Sequence, residues 1–461
     1  MTELSTNPTT VLRDRVAAAF PALRADLESL VRIPSVSNSS FDQAHMDASA
    51  AAVAELLRGA GLPDVQILRA ELADGQRSRP AVIARRPAPD GAPTVLLYAH
   101  HDVQPPGADA DWDSIPFEPV ERDGRLYGRG AADDKAGVIA HVGALRVLAD
   151  ELAVGVTVFV EGEEEIGSPT FTAFLETYAD LLVADVIVVA DSANWKVGTP
   201  GLTTSLRGLV DLEVEVTVLE HSVHSGMFGG PVLDALTLLS RLIATLHDDA
   251  GDVAVAGLVS APDPVVDYDE AEFRADAALI DGAELAGSGP LTARLWTRPA
   301  LAVIGIDAPS IALSSNTIVP RAKAKLSLRI APGQDPAAAL DALRTHLHTH
   351  APFGARVTVT PGDLGRPFKA PADSDAMQAA RWAFEQSWGT APVDIGLGGS
   401  IPFIADLLET FPTASILVTG VEDPDSRAHG ANESVDLGDL EHVVLAEALL
   451  LRRLGGPSAV R

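Results

Sequence analysis

Four short, β-branched runs recur in the first half of the chain: PAVIARR (Pro80–Arg86), TVLLYAH (Thr94–His100), GVTVFVEG (Gly155–Gly162) and DVIVVAD (Asp185–Asp191). Runs this uniformly apolar have no wet face, so each predicts a strand buried on both sides. Helical spacing fills most of the intervals: Thr10 to Val31, His45 to a stop at Gly61, and Ala136 to Leu152. Apolar strands alternating with helices constrain the chain to an α/β fold, a mainly parallel sheet with helices on both faces.

The pattern changes after Leu202. RGLVDLEVEVTV (Arg207–Val218), AKAKLSLRI (Ala322–Ile330) and ARVTVT (Ala355–Thr360) alternate apolar with polar residues, predicting an antiparallel sheet with one solvated face. Helical stretches Pro231–His247 and Asp335–His350 lie between them. Helix and buried strand then return with DAMQAARWAFEQSW, SILVTG and a helix from Leu437. The expected organisation is one α/β domain, residues 1–204 and 366–461, interrupted by an α+β domain over 205–365.

The 461 residues carry 34 Lys and Arg against 64 Asp and Glu, a formal charge of −30, which argues against a nucleic-acid partner or an anionic membrane surface. There is no cysteine, so disulfides, thiolate metal sites and a cysteine nucleophile are excluded. Early acids, no basic n-region and no long apolar core make the start unlike a signal peptide, and no apolar run approaches membrane-spanning length. A cytoplasmic protein is the expectation.

Acids and histidines gather at or just beyond the predicted strand ends, where open α/β sheets build their sites. YAHHDVQP places His100 and Asp102 on one side of a strand and His101 on the other. GRGAADDKAG brings Asp133 and Asp134, EGEEEIGS brings Glu161, Glu163, Glu164 and Glu165, VADS brings Asp191, and RAHGANES brings His429. Each suits a bland role: a helix cap for the Asp pair, a solvated loop for the glutamates. Together they concentrate like charge, which repels unless cations offset it. Two divalent ions about 3.5–4 Å apart could do so and bring a shared water towards a pKa of about 7.

AHHDVQP, GRGAADDKAG, EGEEEIGS, VADS, HSGMFGG, GGSIP and HGANE stand in the order of the M20 metallopeptidase family, and the chain most resembles its dipeptidase, carnosinase-like branch. The resemblance covers nearly the whole chain. It implies a zinc-peptidase-like catalytic domain interrupted by a lid and dimerisation domain. It implies two divalent metal ions, with His100 and Asp191 on one, Glu165 and His429 on the other, and Asp133 bridging. Zinc fits by availability, and manganese or cobalt would also bind. Asp102 would orient His100, Glu164 would act as general base, and the Asp133–Asp134 bond would be cis. His224 would reach a partner subunit's site to stabilise the oxyanion, making the protein a homodimer. Arg329, Ser400 and Asn316 would contact substrate. The implied reaction is attack of a metal-bridging hydroxide on the amide of a dipeptide or short peptide. Two residues depart from the family pattern: His101 replaces an apolar residue, and Leu397 stands where a Glu is common.

Two other functions are compatible with parts of this pattern. An N-acyl-amino-acid deacylase shares every ligand, though the HSGMFGG and GGSIP forms favour the dipeptidase. A non-catalytic dimeric scaffold would have lost Glu164 or a ligand, and none is lost. GRGAAD lacks the third glycine of a dinucleotide fingerprint, and Pro402 stands where a nucleophile elbow needs glycine.

Overall fold

The computed structural model describes residues 8–72, 75–399 and 402–456. The chain divides into two compact units, one formed by residues 1–204, 370–395 and 406–461, the other by 205–369 and 396–405.

In the first unit a mixed sheet runs in the order Asp64–Leu68, Ala81–Arg86, Gly155–Glu161, Thr94–His100, Val186–Val189, Ser415–Val418, Gly201–Leu206. The four strands from Gly155–Glu161 to Ser415–Val418 are parallel. Antiparallel pairings flank them on both sides. Thr94–His100 leads through the helix Lys135–Leu148 to its neighbour on one side. Gly155–Glu161 then leads through the helix Phe171–Leu182 back across it. Right-handed crossovers in opposite directions put those helices on opposite faces. Phe159 of the sheet stacks on Phe174 of the second helix at 5.1 Å. The first packs with Pro8–Val31 and Leu437–Leu454, and the latter also with Asp375–Trp388.

Helix ends follow local chemistry. The helix Ala44–Gly59 buries Met46, Ala50, Val53, Ala54 and Leu57, an i, i+4, i+7 stripe, and stops at Gly61 with φ +85°. Gly420 follows Ser415–Val418 so closely that a Cβ there would lie 1.4 Å from Ser192 O. Only glycine permits that approach, which keeps the Asp191 strand end beside the segment leading to His429.

The second unit is a four-stranded antiparallel sheet, ordered Ala300–Asp307, Arg321–Ile330, Gly208–Thr217, Arg356–Gly365. Val210, Leu212, Val214 and Val216 alternate inward with Ala322, Ala324, Leu326 and Leu328. Leu238, Leu239 and Leu242 of one helix, and Leu343 and Leu347 of another, complete this core. The first of these helices is shorter than its apolar pattern, Ala235–Ala244, because Asp234 caps it by accepting from Thr237 N. The second begins where expected, with Asp335 accepting from Ala338 N ahead of Pro336. Ala300–Asp307 carries no polar alternation and was not predicted as a strand.

Among the described residues, no helix is long and apolar enough to cross a membrane.

Candidate metal centre

Five side chains meet at the carboxyl ends of the parallel strands. His100 ends Thr94–His100, Asp191 lies two residues past Val186–Val189, and Glu165 sits in the 3-10 turn Glu164–Ile166 after Gly155–Glu161. Asp133 precedes the helix Lys135–Leu148, and His429 lies in the loop after Ser415–Val418. That loop holds Arg427, His429 and Asn432 at φ +54°, +62° and +61°, a cluster of left-handed non-glycine residues of the kind that gathers at functional sites. The Asp133–Asp134 peptide is cis.

These residues form two groups sharing Asp133: His100, Asp133 and Asp191, and Asp133, Glu165 and His429. His100 Nε2 lies 3.0 Å from Asp133 Oδ1 and 3.9 Å from Asp191 Oδ1. His429 Nε2 lies 3.0 Å from Asp133 Oδ2 and 3.2 Å from Glu165 Oε2. Each carboxylate oxygen of Asp133 thus faces a different imidazole.

The donor set fits divalent cations. Within each group the donor atoms lie within 4.8 Å of one another, and all are imidazole nitrogens or carboxylate oxygens. His100 Nδ1 lies 3.1 Å from Asp102 O and 3.4 Å from Asp102 Oδ1, so its proton belongs on Nδ1 and its Nε2 lone pair faces Asp133 and Asp191. Without a cation the cluster is electrostatically uneasy. Burial, with the charge of Asp133, pushes Asp191 up to about 6 and Glu165 up to about 7. Burial and Asp191 raise Glu164 well above the ordinary carboxylate range. Hydrogen bonds to Asp133 and Glu165 push His429 up to about 11.

The surrounding contacts sort the acidic motifs. Asp102, fully buried, accepts from Glu165 N at 3.1 Å through Oδ2, while Oδ1 has no hydrogen-bond partner beyond its approach to His100. Of the four clustered glutamates only Glu165 enters a donor group, with Glu164 beside it in the same 3-10 turn. Glu161 accepts from Tyr98 Oη at 2.7 Å, and Glu163 accepts from Arg79 N and Thr170 Oγ1, both at 2.6 Å. Asp134 occupies the N-cap position but makes no capping bond; its Oδ2 accepts from His100 N at 3.1 Å. His101 faces the other way, with Nε2 2.8 Å from Pro80 O.

Gln104 was not singled out in the sequence, although it stands in AHHDVQP. Its N and Nε2 donate to the two oxygens of Glu165, each at 2.8 Å. Gln104→Ala is expected to weaken metal binding about 10-fold, as loss of a ligand's orienting partner does. A chelator-competition titration checks this.

In the second unit, Val223–His224 pairs with Thr317–Ile318, and Ser225 N donates to Asn316 O at 2.9 Å. His224 and Asn316 are therefore neighbours on an exposed edge. Arg329 is half-buried near the end of Arg321–Ile330. Ser400 lies outside the described residues.

The model of peptidase family M20/M25/M40 matches residues 96–453. A cysteinylglycine-S-conjugate dipeptidase of Corynebacterium striatum is 37% identical over 374 residues, spanning 79% of this chain and 82% of its own. A Beta-Ala-His dipeptidase of Rattus norvegicus is 29% identical, spanning 82% and 81%. The solved structure of the di-peptidase Dug1p from Saccharomyces cerevisiae shares the fold at a TM-score of 0.77 and 21% identity, covering 98% of this chain and 99% of that one. This protein is a member of peptidase family M20/M25/M40.

Proposed function

We propose that this chain is a metal-dependent dipeptidase with two divalent ions, one on His100, Asp133 and Asp191 and one on Asp133, Glu165 and His429. The observation that carries the reading is Asp133, whose two oxygens each face the imidazole of a separate donor group. Imidazole and carboxylate donors without thiolate suit zinc, with manganese or cobalt as substitutes. When bound, such ions would supply Lewis acidity to a water nucleophile and to the scissile carbonyl.

The chain's own residues supply the rest. Glu164 stands outside both donor groups. Its raised pKa makes it a stronger base than a solvated carboxylate, suited to take the proton of water and return it to the leaving amine. Asp102 fixes the tautomer of His100, and Gln104 the orientation of Glu165. His224 Nδ1 accepts from Gly226 N at 3.0 Å, so its proton sits on Nε2, free to donate to an oxyanion. For the substrate carboxylate we assign Arg329. Arg329 stands close enough to Arg207 that its charge, after burial, helps push that group down to about 10. Asn316, beside His224, and Ser400 are assigned to substrate contact on the family resemblance.

The second unit is proposed as the lid and dimerisation domain. Among the described residues Ala300–Asp307 pairs on one side only, and its Val303, Ile304 and Ile306 are 40%, 55% and 51% exposed. An apolar open edge invites a second copy. Ile304→Glu is expected to convert a dimer to single chains by light scattering. Because His224 would serve the partner's site, it should also lower kcat about 10²–10³-fold, as loss of an oxyanion donor does.

Chelated protein re-supplied with Zn²⁺ or Mn²⁺ should release amino acids from neutral dipeptides. Cleavage of N-acyl amino acids alone would contradict the dipeptidase assignment, which both the Corynebacterium and the rat relative favour.

A further inference from the structure

Glu433 lies four residues past His429 and is fully buried, yet it is in neither donor group. Its Oε1 accepts from Ala132 N at 3.0 Å and Asp133 N at 3.1 Å. Its Oε2 accepts from Gly130 N at 3.0 Å and Arg129 Nη1 at 2.5 Å. Arg129 in turn donates through Nη2 to Gly430 O at 3.0 Å, and Gly128 N donates to Glu433 O at 2.9 Å. The amides of Gly130, Ala132 and Asp133 converge as an anion nest, and the chain fills it with its own carboxylate.

We propose that Glu433, clamped by Arg129, is a positioning residue that sets the distance between Asp133 and His429 and so tunes affinity for the second ion. The inference rests on the dinuclear reading above. One end of the clamp holds the backbone of the shared ligand, and the other is continuous with the His429 loop. All four contacts to the carboxylate are donors. In Glu433→Gln, whichever oxygen becomes NH₂ would set a donor against two donors, whereas the side-chain volume is kept.

The test is a chelator-competition titration of the metal-free full chain with Zn²⁺, comparing wild type, Glu433→Gln and Glu447→Gln. Glu447 is a buried carboxylate of the same unit, 2.8 Å from His141 Nδ1 and outside both donor groups, so its substitution controls for lost stability. The expected result is affinity for one of the two ions reduced about 10- to 100-fold in Glu433→Gln. Glu447→Gln should bind both ions as wild type does. Equal affinity in Glu433→Gln and wild type, or an equal loss in both variants, overturns the proposal. Wild type that binds no ion overturns the dinuclear reading instead. If circular dichroism shows Glu433→Gln unfolded, Arg129→Lys takes its place. That variant keeps the charge but not the fork joining Glu433 to Gly430 O, and wild-type affinity in it likewise overturns the clamp.

Discussion

Glu164→Gln should lower kcat by about 10²–10⁴-fold, the contribution of a positioned general base, and leave metal content unchanged. Two observations separate this residue from its neighbours. It belongs to neither donor group, so its loss removes no ligand. It is half-buried and lies close enough to Asp191 and Glu165 for their charges to help raise it. A ligand variant loses metal and turnover together, whereas a base variant loses turnover alone. Metal analysis of the purified variant beside its kcat decides between them. Loss of an ion in Glu164→Gln would move this residue into the coordination shell.

Asp133→Ala should be the most damaging substitution at the site. Its two oxygens serve both groups, so both ions lose a ligand, and His100 and His429 lose their shared partner. Lewis-acid stabilisation of several kcal/mol disappears with the ions, about 10³-fold in rate for each 4 kcal/mol. Asp191→Ala and His429→Ala should each weaken one ion selectively. Metal stoichiometry after gel filtration distinguishes the three: nearly none for Asp133→Ala, about one for each of the others. Retention of a full complement by Asp133→Ala would refute the bridging assignment.

The legible parts of this protein are those where a short segment carries its own reason. Buried strands such as Thr94–His100 announced themselves as short apolar runs, and Gly61 marked a helix end through its backbone freedom. The family resemblance implied the five ligands, and these five meet in two donor groups. What stayed hidden depends on contacts distant in sequence. Glu433 looks like one more loop acid until its carboxylate is found on the amides of Gly130 to Asp133, some 300 positions away. Gln104 likewise meets Glu165 only after strand pairing brings their loops together. The run of four glutamates also needs the fold to separate its members. Adjacent in sequence, they are divided by the turn, and Glu161 and Glu163 are absorbed by Tyr98, Arg79 and Thr170. Ala300–Asp307 escaped because an exposed apolar edge lacks the alternation that marks a half-buried strand.

Peptide hydrolysis should depend on two ions held by these five side chains. Its most direct test follows release of amino acid from a neutral dipeptide while metal-free protein is titrated with Zn²⁺ or Mn²⁺. The expected outcome is no turnover without metal, binding of two ions per chain, and full activity only at the second equivalent. Full activity in the metal-free chain, or saturation with a single ion, would contradict it.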